Sequence, residues 1–280
     1  MKEYNTLILS GGGIKGFGML GTLQCLYHNG KLKGIKKIIG TSIGSVIGYL
    51  LILGLQPTEI IIQCIQKNYF QKIKKFNLVS GIRGKGFLEF DIFETILRDF
   101  SYGKLKTETL PTFQELYEYN DIDFKVITFN YTKKREEILS KETTPDLSIL
   151  EGARMSSNIP FIFSHYKNND SYYFDGFITS NFGLHLIDIK EDITLGICST
   201  RNRWKEDKEN KSWKIIWNLF ILPFFNIETV RNKPYIQYVD IINLSFDDIS
   251  FIDFYISSKQ MLDMYSLGYA QSKSFLEEKK

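Results

Sequence analysis

Three short motifs in this chain hold residue types that could do chemistry. The first is Gly40-Thr41-Ser42-Ile43-Gly44, a Gly-x-Ser-x-Gly pentapeptide. A serine in this setting sits on a sharp turn between a strand and a helix. Glycines two before and two after it remove side chains that would clash, and the N–H of Ile43, just after the serine, can join an oxyanion hole. The second is Gly11-Gly12-Gly13-Ile14-Lys15-Gly16. Its backbone N–H groups, at the start of a helix, form an anion cradle to which Lys15 adds positive charge, suited to an oxyanion or to a bound phosphate. The third is Asp175-Gly176, an acid ahead of a flexible glycine, which taken alone is also a common turn.

Each motif has a competing reading. Gly11-x-Gly13-x-x-Gly16 matches the dinucleotide fingerprint, but that site needs an acidic residue about 20 positions on. No Asp or Glu lies between Glu3 and Glu59, so the oxidoreductase reading fails. A P-loop fails too, because no Gly-Lys-Ser/Thr follows. The glycines could simply pack a tight turn, and Ser42 could be a helix cap. A nucleophilic serine also needs a base. The chain has 3 histidines, His28, His165 and His185. His28 falls late in the first helix, so a Ser-His-Asp triad would run through His165 or His185.

Positioning these motifs requires an alternation of strands and helices. Thr6–Ser10 and Lys36–Gly40 read as buried strands, and Phe17–Asn29 and Ser42–Leu55 as the helices after them. A third helix runs from Pro57 to about Phe70, with Thr58 as its cap; Phe90–Phe100 and Phe113–Glu118 follow. Phe124–Asn130, Glu136–Ser140, Tyr172–Phe174 and Ile193–Cys198 read as strands, and Leu147–Ser157 as a helix stopped by Asn158-Ile-Pro160. This pattern predicts an α/β fold with a mostly parallel central sheet flanked by helices. In such sheets, sites lie at the carboxyl ends of strands, where all three motifs fall. After about Thr200 the text changes: residues 201–280 read as a C-terminal extension packed on a 1–200 catalytic domain, mostly loops with one terminal helix over Ser257–Leu276.

The chain of 280 residues is 43% hydrophobic and 24% charged, with a net charge of +3. This excludes a disordered chain and gives no reason to expect nucleic-acid binding. Cys25, Cys64 and Cys198 are odd in number and scattered, and the apolar start is too short for a signal-peptide core. A reducing, cytoplasmic setting is therefore expected. No metal-ligand spacing appears, so neither a metal nor an organic cofactor is expected. Ile38–Thr58 carries no charge and approaches the length of a membrane span. Its internal glycines and Pro57 instead read as a strand, a turn and a buried helix.

Taken together, the motifs resemble the patatin-like phospholipase family. The resemblance covers roughly Tyr4 to Ile197. It rests on Gly11–Gly16, on Gly40–Gly44, on Asp175-Gly176, and on Glu151-Gly-Ala-Arg-Met-Ser-Ser-Asn-Ile-Pro160-Phe-Ile-Phe163, which looks like the family's Ala-x-x-Ser-x-x-x-Pro segment. One departure stands out: the family often has Asn-x-Pro after Asp-Gly, and here Asn181-Phe-Gly183 lacks the proline. The resemblance implies a patatin-like three-layer sandwich and a Ser–Asp dyad acting on lipid esters without metal. Ser42 would be the nucleophile and Asp175 its base. Gly11, Gly12, Gly13 and Ile43 would form the oxyanion hole, with Lys15 in electrostatic support and Gly40 and Gly44 shaping the elbow.

The expected substrate is a phospholipid or other acyl lipid, met at a membrane surface by a peripheral protein. Two segments could contact it. Lys67 to Lys85 holds six basic and no acidic side chains, with Phe70 and Phe76 interleaved; Trp213–Phe225 is rich in aromatics. Either could equally be a solvated face or a core helix. An acyltransferase or thioesterase could use the same acyl-serine, and a catalytically silent lipid-binding module is the non-enzyme alternative. Residues 1–58 carry six Lys and one Glu, so the region of Ser42 is locally basic.

Overall fold

The computed structural model describes residues 3–72, 90–199, 222–224, 226–246 and 255–279. The Arg201–Lys214 stretch, the basic segment beyond Lys72 and all of Trp213–Phe225 except 222–224 lie outside them. Eight strands form one sheet: β1 Thr6–Leu9, β2 Lys37–Thr41, β3 Asp123–Asn130, β4 Arg135–Leu139, β5 Tyr166–Asn168, β6 Ser171–Asp175, β7 Thr194–Ser199 and β8 Val239–Leu244. Their order is β5-β6-β3-β2-β1-β7-β8, with β4 also on β3. β1, β2, β3, β7 and β8 run parallel; β4 and β6 pair antiparallel with β3, and β5 antiparallel with β6. Around the sheet lie the helices α1 Gly16–His28, α2 Ile43–Ile52, α3 Pro57–Gln66, α4 Asp91–Leu105, α5 Phe113–Asn120, α6 Ile149–Ser156 and α7 Ser258–Glu278.

The central strands are apolar on both faces because both are covered. Leu7, Leu9, Ile38 and Val126 face a core shared with α1, α2, α3 and α4. Their alternates Ile8, Ile39 and Ile127 face a second core made with Phe182, Leu184 and Ile187. The segment just after Asp175 is thus a wall of the sheet as well as a loop.

The uncharged Ile38–Thr58 stretch is β2, an elbow, α2 and the start of α3, with a 113° bend between the two helices. Among the described residues, no single helix is long and apolar enough to cross a membrane.

Several elements depart from expectation. The cap of α3 is Gln56, in a reciprocal box with Glu59, while the Thr58 hydroxyl donates to Gln24 Oε1 at 2.7 Å. β5 pairs with β6 across a tight Asn169-Asp170 turn, with Asn169 at φ 48°. β8 falls where the sequence predicts loop, since Asp240 and Asn243 interrupt its apolar pattern. It is an edge strand, where Asp240 accepts from Tyr4 Oη at 3.1 Å and Lys279 Nζ at 2.6 Å. The C-terminal residues thereby extend the same sheet. α7 lies on α1 through small residues: a Cβ on Gly21 would stand 1.8 Å from the Tyr265 carbonyl oxygen, and one on Gly268 2.0 Å from that of Gly18.

Candidate active site

The site is built where two strands meet end to end along one edge of β3. β2 pairs with β3 as far as Thr41↔Ile127. The chain then leaves the sheet at Ser42, and β6 takes over the vacated edge at the next rung, Asp175↔Thr128. β4 holds the opposite edge of β3 over the same rungs, so β6 has nowhere else to pair. This topology brings together residues separated by most of the matched sequence.

Ser42 sits at φ 53°, ψ −126°, a region that costs a non-glycine residue about 1–3 kcal/mol. The flanking glycines make the turn possible: a Cβ on Gly44 would meet the Leu9 carbonyl oxygen at 2.2 Å, and one on Gly40 the Ser45 Cα at 2.6 Å. The Ser42 N–H donates to Ser156 Oγ at 2.9 Å, and Ser156 Oγ in turn donates to the Ile127 carbonyl at 2.6 Å. Ser156 is the serine of the Ala153-x-x-Ser156 segment. It ties the elbow to β3, a role that the motif marked without explaining.

Asp175 is 1% exposed. Its Oδ1 accepts the N–H of Phe177 at 2.9 Å, and the Ser42 side chain stands near enough to draw its pKa down. Burial pushes its pKa up to about 7, against the opposing pull of those two donors. Gly176 must be glycine, since a Cβ would stand 2.4 Å from the Ile127 carbonyl oxygen.

The glycine loop lies beside the elbow. Gly13 is at φ 54°, and Gly13–Lys15 form a 3-10 turn leading into α1. The N–H groups of Gly12, Gly13 and Ile43 have no protein acceptor among the described residues. Gly11, expected among the oxyanion donors, is not one. Its N–H goes to the Asn181 carbonyl at 3.1 Å, because the segment after Asp175 packs against it. Lys15 is buried at the N-terminal end of α1.

None of the histidines has a contact with Ser42 among the described residues. His28 bonds Gln24 and Tyr269, His165 packs on Tyr172 and Phe174, and His185 Nε2 lies 2.9 Å from Glu136. No cluster of His, Cys, Asp and Glu that could hold a metal occurs among the described residues.

Next to Ser42 lies an almost wholly apolar cavity. Gly13 and Ser42 form one part of its wall, and Leu20, Val46, Phe93 and Phe163 contribute to the rest.

Several known proteins resemble this chain in sequence or in fold. The chain is 34% identical over 209 residues to the probable lipid hydrolase 463L of Invertebrate iridescent virus 6, covering 74% of this chain and 68% of that protein. It is 29% identical to the uncharacterized protein R571 of Acanthamoeba polyphaga mimivirus, covering 97% and 93%. Among solved structures, VipD from Legionella pneumophila superposes with a TM-score of 0.57 at 18% identity, covering 99% of this chain and 67% of that one. Full-length ExoU from Pseudomonas aeruginosa gives 0.51 at 14%, with 98% of this chain and 52% of ExoU covered. The sequence profile of the patatin-like phospholipases matches residues 7–188, a span that takes in the glycine loop, the elbow, the Ser156 segment and Asp175. The chain therefore belongs to the patatin-like phospholipase family.

Proposed function

We propose that this protein is a lipid acyl hydrolase of phospholipase A type that works through an acyl-enzyme on Ser42, with Asp175 as the base. The observation that carries the reading is the meeting of Ser42 with a buried carboxylate at the wall of an apolar cavity. A carboxylate with its pKa near 7 is basic enough to accept a serine proton at neutral pH, unlike an ordinary aspartate. The cavity offers an acyl chain a place out of water.

In this mechanism Asp175 takes the Ser42 proton as Oγ bonds to the ester carbonyl carbon. The N–H groups of Gly12, Gly13 and Ile43 receive the negative oxygen. When the tetrahedral species collapses, the ester C–O bond breaks and the Asp175 proton goes to the departing lysophospholipid oxygen. Water then attacks the acyl-Ser42 ester and gives its proton to Asp175. The fatty acid leaves, and the proton returns to Ser42.

The test is hydrolysis of a labelled phospholipid in vesicles, with chelator present, alongside labelling by a fluorophosphonate. Wild type should release fatty acid and be labelled at Ser42. Ser42→Ala and Asp175→Asn should lose release, and His28→Ala and His165→Ala should keep it. Absence of both labelling and release from folded wild type would sink the proposal. Loss of both release and labelling in a folded His165→Ala would replace the dyad with a triad.

A further inference from the structure

The segment after Asp175 touches the end of β2, the glycine loop and β7. Thr41 Oγ1, next to Ser42, donates to the Ser180 carbonyl at 3.2 Å. The Asn181 carbonyl holds the Gly11 N–H at 3.1 Å, and the Phe182 ring fills the space over Gly196, where a Cβ would stand 2.4 Å away. This segment lacks the proline of the family pattern. Its outer side is gripped instead by helical residues 226–232. The Glu228 carboxylate accepts the N–H of Phe182 at 2.5 Å and also faces the N–H of Asn181. One turn on, the Arg231 guanidinium binds both Glu136 oxygens at 2.8 Å and the Thr179 carbonyl at 3.3 Å. His185, from the end of the same segment, also bonds Glu136 Oε1.

We propose that Glu228 and Arg231 are positioning residues that hold residues 179–182 against the glycine loop and so fix where the oxyanion donors point. The chain of contact is Glu228 to the Asn181–Phe182 backbone, Asn181 to Gly11, and Gly11 to the donors Gly12 and Gly13. Neither residue touches the reacting atoms. The proposal rests on the hydrolase reading above. Burial raises Glu228 to about 7, against the lowering pull of the Phe182 and Asn181 N–H groups.

The experiment uses the full chain. Glu228→Ala, Glu228→Gln, Arg231→Ala and, as a control, Val230→Ala on the exposed side of the same helix are compared by two readouts. One is kcat and KM on a soluble acyl ester; the other is amide hydrogen exchange at residues 9–13 and 179–182. Glu228→Ala should lower kcat by about 10- to 100-fold, the scale of a displaced oxyanion donor, with KM nearly unchanged. It should also speed exchange at Gly11 as well as at Phe182. Glu228→Gln keeps an acceptor oxygen and should recover most of kcat. Arg231→Ala should resemble Glu228→Ala in milder form, and Val230→Ala should resemble wild type. If Glu228→Ala does not fold, the Gln and Arg231 variants carry the test. Unchanged exchange at Gly11, or an unchanged kcat despite faster exchange, would overturn the proposal. An inactive wild type would instead overturn the hydrolase reading, and the exchange measurements would still judge the contact chain.

Discussion

Replacing Asp175 by Asn separates what its charge costs the fold from what it supplies to the reaction. Burial raises this carboxyl from 3.8 to about 7. The folded protein therefore holds the proton more tightly than the unfolded chain does. Stability is then lost as pH rises from about 4 to about 7, because the unfolded chain ionises first. At roughly 1.4 kcal/mol for each tenfold change in proton affinity, the loss comes to about 4 kcal/mol. Below pH 4 both states are protonated and the difference vanishes; above pH 7 it is fully present. Asn has the same shape and cannot ionise. Its oxygen can still accept the Phe177 N–H, and its amide can donate to Ser42 Oγ. Urea unfolding across pH should find Asp175→Asn close to wild type at pH 4 and up to about 4 kcal/mol more stable at pH 8.

The same substitution should lower kcat/KM by about 10²- to 10⁴-fold, the usual contribution of a general base. In wild type, kcat/KM should rise with pH through a limb near 7, as Asp175 gives up its proton. Glu228 also stands near 7, facing Cys198, Asn232, Arg231 and the Asn181–Phe182 backbone, so the limb should be measured in Glu228→Gln as well. Its persistence there assigns it to Asp175. Equal stability of Asp175→Asn and wild type at pH 8 would refute the reasoning, since the carboxylate would then bear no burial cost.

Other perturbations read other parts of the structure. Ser42→Gly should be more stable than Ser42→Ala by about 1 kcal/mol or more by chemical unfolding, because only glycine relieves the positive φ, while both should be inactive. Gly21→Ala adds helix propensity worth about 1 kcal/mol, yet its Cβ would meet the Tyr265 backbone. It should be net destabilising by about 1–3 kcal/mol, seen as a lower Tm. Val46→Phe narrows the cavity beside Ser42 and should shift kcat/KM toward shorter acyl esters, with acetyl ester turnover nearly unchanged. An unshifted chain-length profile would remove this cavity from the acyl path.

How much of this was legible in sequence depended on how local each cause is. The elbow and glycine loop were legible because their requirements are local: glycines where a Cβ would strike backbone, next to an apolar strand. Asp175 was harder, since an Asp-Gly pair is an ordinary turn. What makes it special is non-local, namely that β6 resumes the edge of β3 where β2 leaves it. Ser156 lay within a recognised segment, but its bond to the Ser42 N–H depends on how α6 packs. Gly11 was misassigned because a glycine run gives every N–H the same appearance. Only the docked Asn181 shows which one is already taken. β8 was missed because an edge strand tolerates Asp240 and Asn243 where a central strand would not. Glu228 and Arg231 had no local signal: they lie in a polar stretch, and their partners are 46 and 95 residues away.

The absent proline and the two C-terminal residues bear on each other. Gly183 has φ −53°, which a proline could adopt. A side chain there would nevertheless stand 2.5 Å from Ile127 Cδ1 and 3.0 Å from Ile39 Cγ2, because these residues press on the underside of the segment. Glycine fits that space but leaves the backbone freer than proline would. Holding the segment in one conformation must then come from contacts, and those found on its outer side come from residues 226–232 and Glu136. The family profile ends at residue 188, before Glu228 and Arg231. The residues proposed to react, Ser42 and Asp175, thus lie within the matched span, while the proposed grip on the segment after Asp175 comes from outside it. A C-terminal extension joined to the sheet through β8 and to α1 through α7 is anchored firmly enough to supply that grip.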